Sequence, residues 1–105
     1  MEKIPNYKVV VSERSRQMLG NHIFFLAQKS PSGARKLKSD LMNAIHSLHQ
    51  FSERFPFLEA EFVPYNKYHK LFVEKWYLIL YQIKDRMVYV DHIIDCRQDY
   101  SWLVR

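Results

Sequence analysis

The sequence predicts an α+β domain of order β-α-α-β-β-β, a helical hairpin packed on a small, mainly antiparallel four-stranded sheet. Three observations carry this. Ala34, Leu37, Leu41, Ala44, Ile45, Leu48 and Phe51 recur at helical spacing as one apolar stripe. Ser30-Pro31-Ser32-Gly33 separates that stripe from an earlier helical period. Three runs rich in β-branched and aromatic residues then follow one another, parted by short polar links. An apolar stripe and a half-apolar sheet must each bury a face, and packing on one another satisfies both.

Tyr7–Val11 is a short β-branched run and reads as a strand. Ser12 follows as a helix N-cap, with Glu13 in the first turn, where the helix dipole favours an acid. Met18, Leu19, His22, Ile23, Phe25 and Leu26 then repeat at helical spacing, so the first helix is expected over Glu13–Lys29. Either Ser30 or Ser32 can cap the second helix, because Pro31 is tolerated in a first turn. That helix is expected over Pro31–Phe51, with Arg35, Lys36, Lys38, Ser39 and Asn43 opposite its stripe. Ser52–Lys67 lacks a sustained period, carries Pro56 and Pro64, and reads as a connection.

The remaining strands are expected over Tyr68–Val73, Trp76–Ile83 and Met87–Ile94. Glu74-Lys75 and Lys84-Asp85-Arg86 supply the turns, without the favoured Asn-Gly chemistry. Trp76–Ile83 is almost wholly apolar, as a central strand should be. In the last strand Val88, Val90 and Ile94 alternate with Tyr89, Asp91 and Ile93. The hairpin is expected on one face of the sheet, with the other face open.

The 105 residues suit a single domain, 1–105. Hydrophobic residues make up 48% and charged residues 26%, which excludes disorder as the main state. Cys96 is the sole cysteine, so an intrachain disulfide and a zinc finger are excluded. No apolar run approaches the roughly 18 residues needed to span a bilayer, and Met1–Val11 lacks an export signal. A cytoplasmic protein without membrane association is the expectation. The net charge of +5 lies wholly in the first half. Nine bases meet four acids in Met1–Phe55, whereas seven meet seven in Pro56–Arg105.

Few side chains suggest chemistry by type and spacing. His46 and His49 lie at i, i+3 on the second helix beside Met42 and Glu53. A catalytic zinc site needs about three protein ligands, and no third is identifiable, so these histidines read as a solvated flank and no metal is expected. Arg35, Lys36 and Lys38 suit a water-facing helix side as well as a nucleic-acid patch. Lys67, Tyr68, His69, Lys70, Tyr81, Tyr89, Arg97 and Tyr100 mix bases with aromatics, as stacking platforms and amphipathic strands both do. Asp95-Cys96-Arg97-Gln98-Asp99-Tyr100 is a polar cluster at a strand end, where Asp95 and Asp99 can simply pair with Arg97. Cys96 has no activating base in sight and reads as a packing residue.

The order and spacing of several pieces resemble the RelE/ParE superfamily, the toxins of bacterial type II toxin–antitoxin modules, often labelled plasmid-stabilisation proteins. The pieces are Tyr7–Val11 with Ser12, Ser30-Pro31 with Ala34 and Leu37, and Ile45-His46-Ser47-Leu48 ahead of Phe55-Pro56. The strongest are Tyr68-His69-Lys70-Leu71-Phe72-Val73, Trp76–Ile83 and Ile93-Ile94-Asp95-Cys96-Arg97-Gln98-Asp99. The resemblance implies the same hairpin-on-sheet fold, a cognate antitoxin as partner, no cofactor, and growth inhibition through a cellular target.

One branch of the superfamily cuts mRNA on the ribosome; the other poisons DNA gyrase without hydrolysis. The cutting branch gathers cations around a phosphate and needs a group for the 2′-hydroxyl proton. Its arginine on the middle strand falls here at Leu78, and an apolar chain cannot stabilise a pentavalent phosphate. A basic position on the preceding strand falls at His69, and the arginine after the last strand is kept as Arg97. Where one cutting subgroup reads "CRYHY", this chain reads Cys96-Arg97-Gln98-Asp99-Tyr100. The expectation is therefore a toxin that acts by binding, with gyrase as the implied target. The alternatives are a ribosome-dependent mRNA endonuclease using His69, Lys70, Arg97 and Tyr100, and a non-toxic module that only binds antitoxin.

Overall fold

The computed structural model describes residues 6–59 and 64–97. Strand β1 (Lys8–Val11) leads into helices α1 (Glu13–Ala27) and α2 (Pro31–Phe51). A single 3₁₀ turn (Ser52–Arg54) and a long connection precede β2 (His69–Val73), β3 (Tyr77–Lys84) and β4 (Met87–Asp95). The strands lie in the order β1-β4-β3-β2. β1 runs parallel to β4, and the other pairs are antiparallel. The predicted order and hairpin are thus present, in a mixed sheet.

The helix ends follow local chemistry. Ser12 and Ser30 are the N-caps, each hydroxyl accepting from the amide three residues on, Ser15 and Gly33, at 3.0 Å. α1 stops at Ala27, two residues before the expected Lys29, because the Leu26 carbonyl takes the amides of both Lys29 and Ser30. Asp85 and Arg86 both have positive φ, 56° and 107°, as a two-residue hairpin of matching twist requires.

Two apolar clusters flank the sheet. The larger joins Leu37, Leu41, Ile45 and Leu48 of α2 to Val73, Tyr77, Ile79, Tyr81, Val88, Val90 and Ile93. The smaller lies on the other face: Leu58 and Tyr68 with Leu78, Leu80 and Ile94. That face was expected to be open, yet Leu78 is 1% and Leu80 0% exposed. The connection supplies the cover, since Leu58 donates its amide to the Tyr68 carbonyl and Phe57 bridges to His69.

The face assignment of β4 also differs from simple alternation. Tyr81 pairs with Val90 and Leu80 with His92, so Asp91 is an extra residue in the ladder. A one-residue bulge reverses the parity of all that follows. Ile93 therefore joins Val88 and Val90 against the helices, and Ile94 crosses to the opposite cluster.

Candidate functional site

Arg97 follows β4, and its position is set by the residue closing that strand. The buried Asp95 carboxylate accepts from the Arg97 amide (2.9 Å) and from its Nε (3.1 Å) through Oδ1. Its Oδ2 accepts from Arg97 Nη2 at 3.2 Å. The same Nη2 donates to the Tyr77 hydroxyl at 3.1 Å, and the guanidinium lies 5.6 Å from the Trp76 and Tyr77 ring centres. Hydrogen bonding to Asp95 raises the Arg97 pKa above its ordinary value. Burial, then the Asp95 charge, raises that of Tyr77. The arginine is a rigid, charge-compensated fork on an aromatic bed, with its side chain 48% exposed.

Leu78 stands where the resemblance to the RNA-cutting branch would put an arginine. It is buried among Leu58, Tyr68, Leu80 and Ile94. An arginine there would have to enter an apolar cluster, at a cost of several kcal/mol without a partner.

Of the four residues proposed for RNA chemistry, the three that are described do not converge. His69 faces the helices, stacked on Tyr81 at 5.1 Å and 13° and touching Phe57 at 4.2 Å. Its Nδ1 lies 2.7 Å from the Phe55 carbonyl, so that nitrogen carries the proton. Lys70, the next residue along β2, projects to the opposite face. Arg97 lies beyond Tyr77, and Tyr77 is four residues along β3 from the Tyr81 that pairs with His69, about 13 Å at the usual rise. Tyr100 lies outside the described residues. His69 and Arg97 thus share a face but stand apart, and Lys70 is on the other side.

His49, Lys36 and Cys96 have structural partners. His49 Nδ1 lies 2.7 Å from the Tyr7 carbonyl, and the His46 and His49 rings are 5.3 Å apart and tilted. Among the described residues no group of three or more His, Cys, Asp or Glu could hold a metal ion. Lys36 bridges to Asp40 at 2.7 Å and approaches Glu74 at 3.7 Å, which compensates part of the basic face of α2. Cys96 is half-buried against the smaller cluster.

Tyr77, Trp76 and His22 were not singled out from the sequence. They line the Arg97 end of the sheet, with the His22 and Tyr77 rings 5.6 Å apart. Their signal was present as Tyr77, Ile79 and Tyr81 alternating on one face of the central strand.

Such a domain, a helical hairpin over a four-stranded mixed sheet with an arginine after its last strand, has a RelE/ParE-like fold. Among solved structures the chain is similar to a chain of one titled "Chromosomal ParDE TA system from P. aeruginosa". The match covers 85% of this chain and 95% of that one, with a TM-score of 0.70 and 15% sequence identity. No protein-family model matches the chain, and no curated protein matches it in sequence.

Proposed function

We propose that this protein is the toxin of a type II toxin–antitoxin module and acts by binding its target, in the manner of the gyrase-poisoning branch, until a cognate antitoxin neutralises it. The fold shared with a chain of a ParDE system supports the module. The observation that carries the binding mode is the burial of Leu78, 1% exposed where RNA chemistry requires a cation. The paired state of Arg97 points the same way, because Asp95 already compensates its charge. The antitoxin is an extended segment with a helix laid over the hydrophobic surface, its acidic residues meeting the basic first half, so its affinity falls as salt rises.

Induced expression with transcripts and DNA followed in parallel tests this reading. Growth arrest with DNA damage and intact transcripts is expected. Ribosome-dependent transcript cleavage by the purified chain, abolished by Arg97→Ala, would overturn it in favour of the endonuclease. In that case Arg97→Ala would remove about 3–4 kcal/mol of barrier lowering, the scale of one lost oxyanion donor. Normal growth on induction would leave only a module that binds antitoxin.

A further inference from the structure

A second polar region lies on the sheet face turned away from α2, at the bulge in β4. Ser12, Arg14, Tyr68, Asp91 and His92 line a depression of about 210 Å³ there. Tyr68 is 8% and His92 7% exposed, and their rings meet edge to face at 5.7 Å. The Tyr68 ring is buried, while the residue lines the cavity and its hydroxyl makes no hydrogen bond to another described residue, so it can donate to a ligand there.

Among the described residues, charge around the cavity is mainly positive. Arg14 enters from α1, and Lys67 holds its Nζ 5.2 Å over the Tyr68 ring. Asp91 is the opposing charge, but its Oδ2 accepts from Gln82 Nε2 at 2.6 Å, toward β3. β3 otherwise presents the uncharged Leu80 opposite His92. The bulge makes the arrangement possible, because the extra residue turns His92 onto this face.

We propose that this cavity binds a phosphate group, with Arg14 and Lys67 supplying charge and the Tyr68 hydroxyl donating a hydrogen bond. Donors from several directions suit a tetrahedral oxyanion with three or four acceptor oxygens better than a planar carboxylate with two. His92 adds a proton-linked element. Burial first, then Arg14, lowers its pKa, with Lys67 adding to the effect and Asp91 opposing it. An anion beside it reverses that effect, so the imidazole gains a proton as the ligand enters.

Titration of the full-length protein, with the His92 ring followed by NMR, tests the site. Sulfate is the probe for pH, because its charge is constant across the range. It should bind more tightly near about pH 6 than near about pH 8, and His92→Gln should remove that difference. Arg14→Gln should weaken inorganic phosphate binding by about tenfold. Tyr68→Phe should weaken it by a few-fold with the melting temperature unchanged, whereas Arg16→Gln, on the same helix, should leave it unaltered. Tighter binding of a nucleoside 5′-monophosphate than of inorganic phosphate would identify the source as an ester, and equal binding as the free ion. Equal binding of acetate, equal weakening by Arg16→Gln, or an unmoved His92 signal at millimolar phosphate would overturn the proposal.

Discussion

The two helices of the hairpin are held to the same sheet by different forces. α2 buries Ala34, Leu37, Leu41, Ile45 and Leu48, all apolar, and each large side chain contributes about 1.5–3 kcal/mol. The buried residues of α1 are Ser15 and His22, both polar. Met18, Leu19, Ile23 and Leu26 of α1 are only partly buried, and Phe24 is 69% exposed. The sheet explains the contrast. β1 runs out at Val11, opposite Val90, which leaves the outer edge of β4 without a strand beyond that point. α1 supplies the missing donors. The Ser12 amide and the Ser15 hydroxyl both reach the Val90 carbonyl at 3.0 Å, and His22 Nε2 reaches that of Ile93 at 2.7 Å. One helix is an apolar lid; the other completes a short edge.

The largest test strikes the lid. Leu41 is fully buried, so Leu41→Asp places an unpaired charge in the larger cluster and costs upwards of about 4 kcal/mol. A domain with the usual reserve should lose its cooperative melt. A variant that melts like the parent would show that the stripe is an interface. His22→Phe is the matching test for α1. It keeps a ring against Tyr77 but strands the Ile93 carbonyl, and urea denaturation should show a loss of about 1–3 kcal/mol. No loss would mean that packing alone holds α1.

A smaller effect is proton-linked and sits beside the start of α1. His92 has a lowered pKa in the folded protein, mainly from burial and then from Arg14. A native imidazole that stays neutral and charges on unfolding stabilises the fold above its ordinary value of 6.5. That contribution is lost as pH falls through 6.5 and then through the lower folded value. Thermal melts between about pH 7 and pH 5 should therefore fall more steeply in the wild type than in His92→Gln. Equal slopes would remove His92 from the account.

The smallest test compares the two helical glycines. A Cβ at Gly20 of α1 meets nothing within 4 Å, so Gly20→Ala should stabilise by about 0.5–1 kcal/mol. A Cβ at Gly33 of α2 would lie 2.8 Å from Ser30 Oγ, the capping oxygen. Gly33→Ala should displace that cap and show no comparable gain. Equal gains at both positions would mean that the cap on α2 adds little.

Local pattern determined much of this protein. The stripe from Ala34 to Phe51, the Ser30-Pro31 start and the three strand runs specify the element order, because helical and strand periods are written in neighbouring residues. The possible pairing of Arg97 with Asp95 was legible for the same reason, the two lying two residues apart. The tertiary structure alone decided which faces meet. No local period announces the bulge at Asp91, which sends Ile93 and Ile94 to faces opposite those expected. His69 and Lys70 face opposite ways by strand alternation, but the separation of His69 from Arg97 depends on how β2 pairs with β3. Ser15 and His22 are buried because β1 ends at Val11 and leaves carbonyls of β4, a strand distant in sequence, to satisfy. Such partners are fixed by hydrogen bonding across the fold, where a buried carbonyl must find a donor from whichever element lies against it.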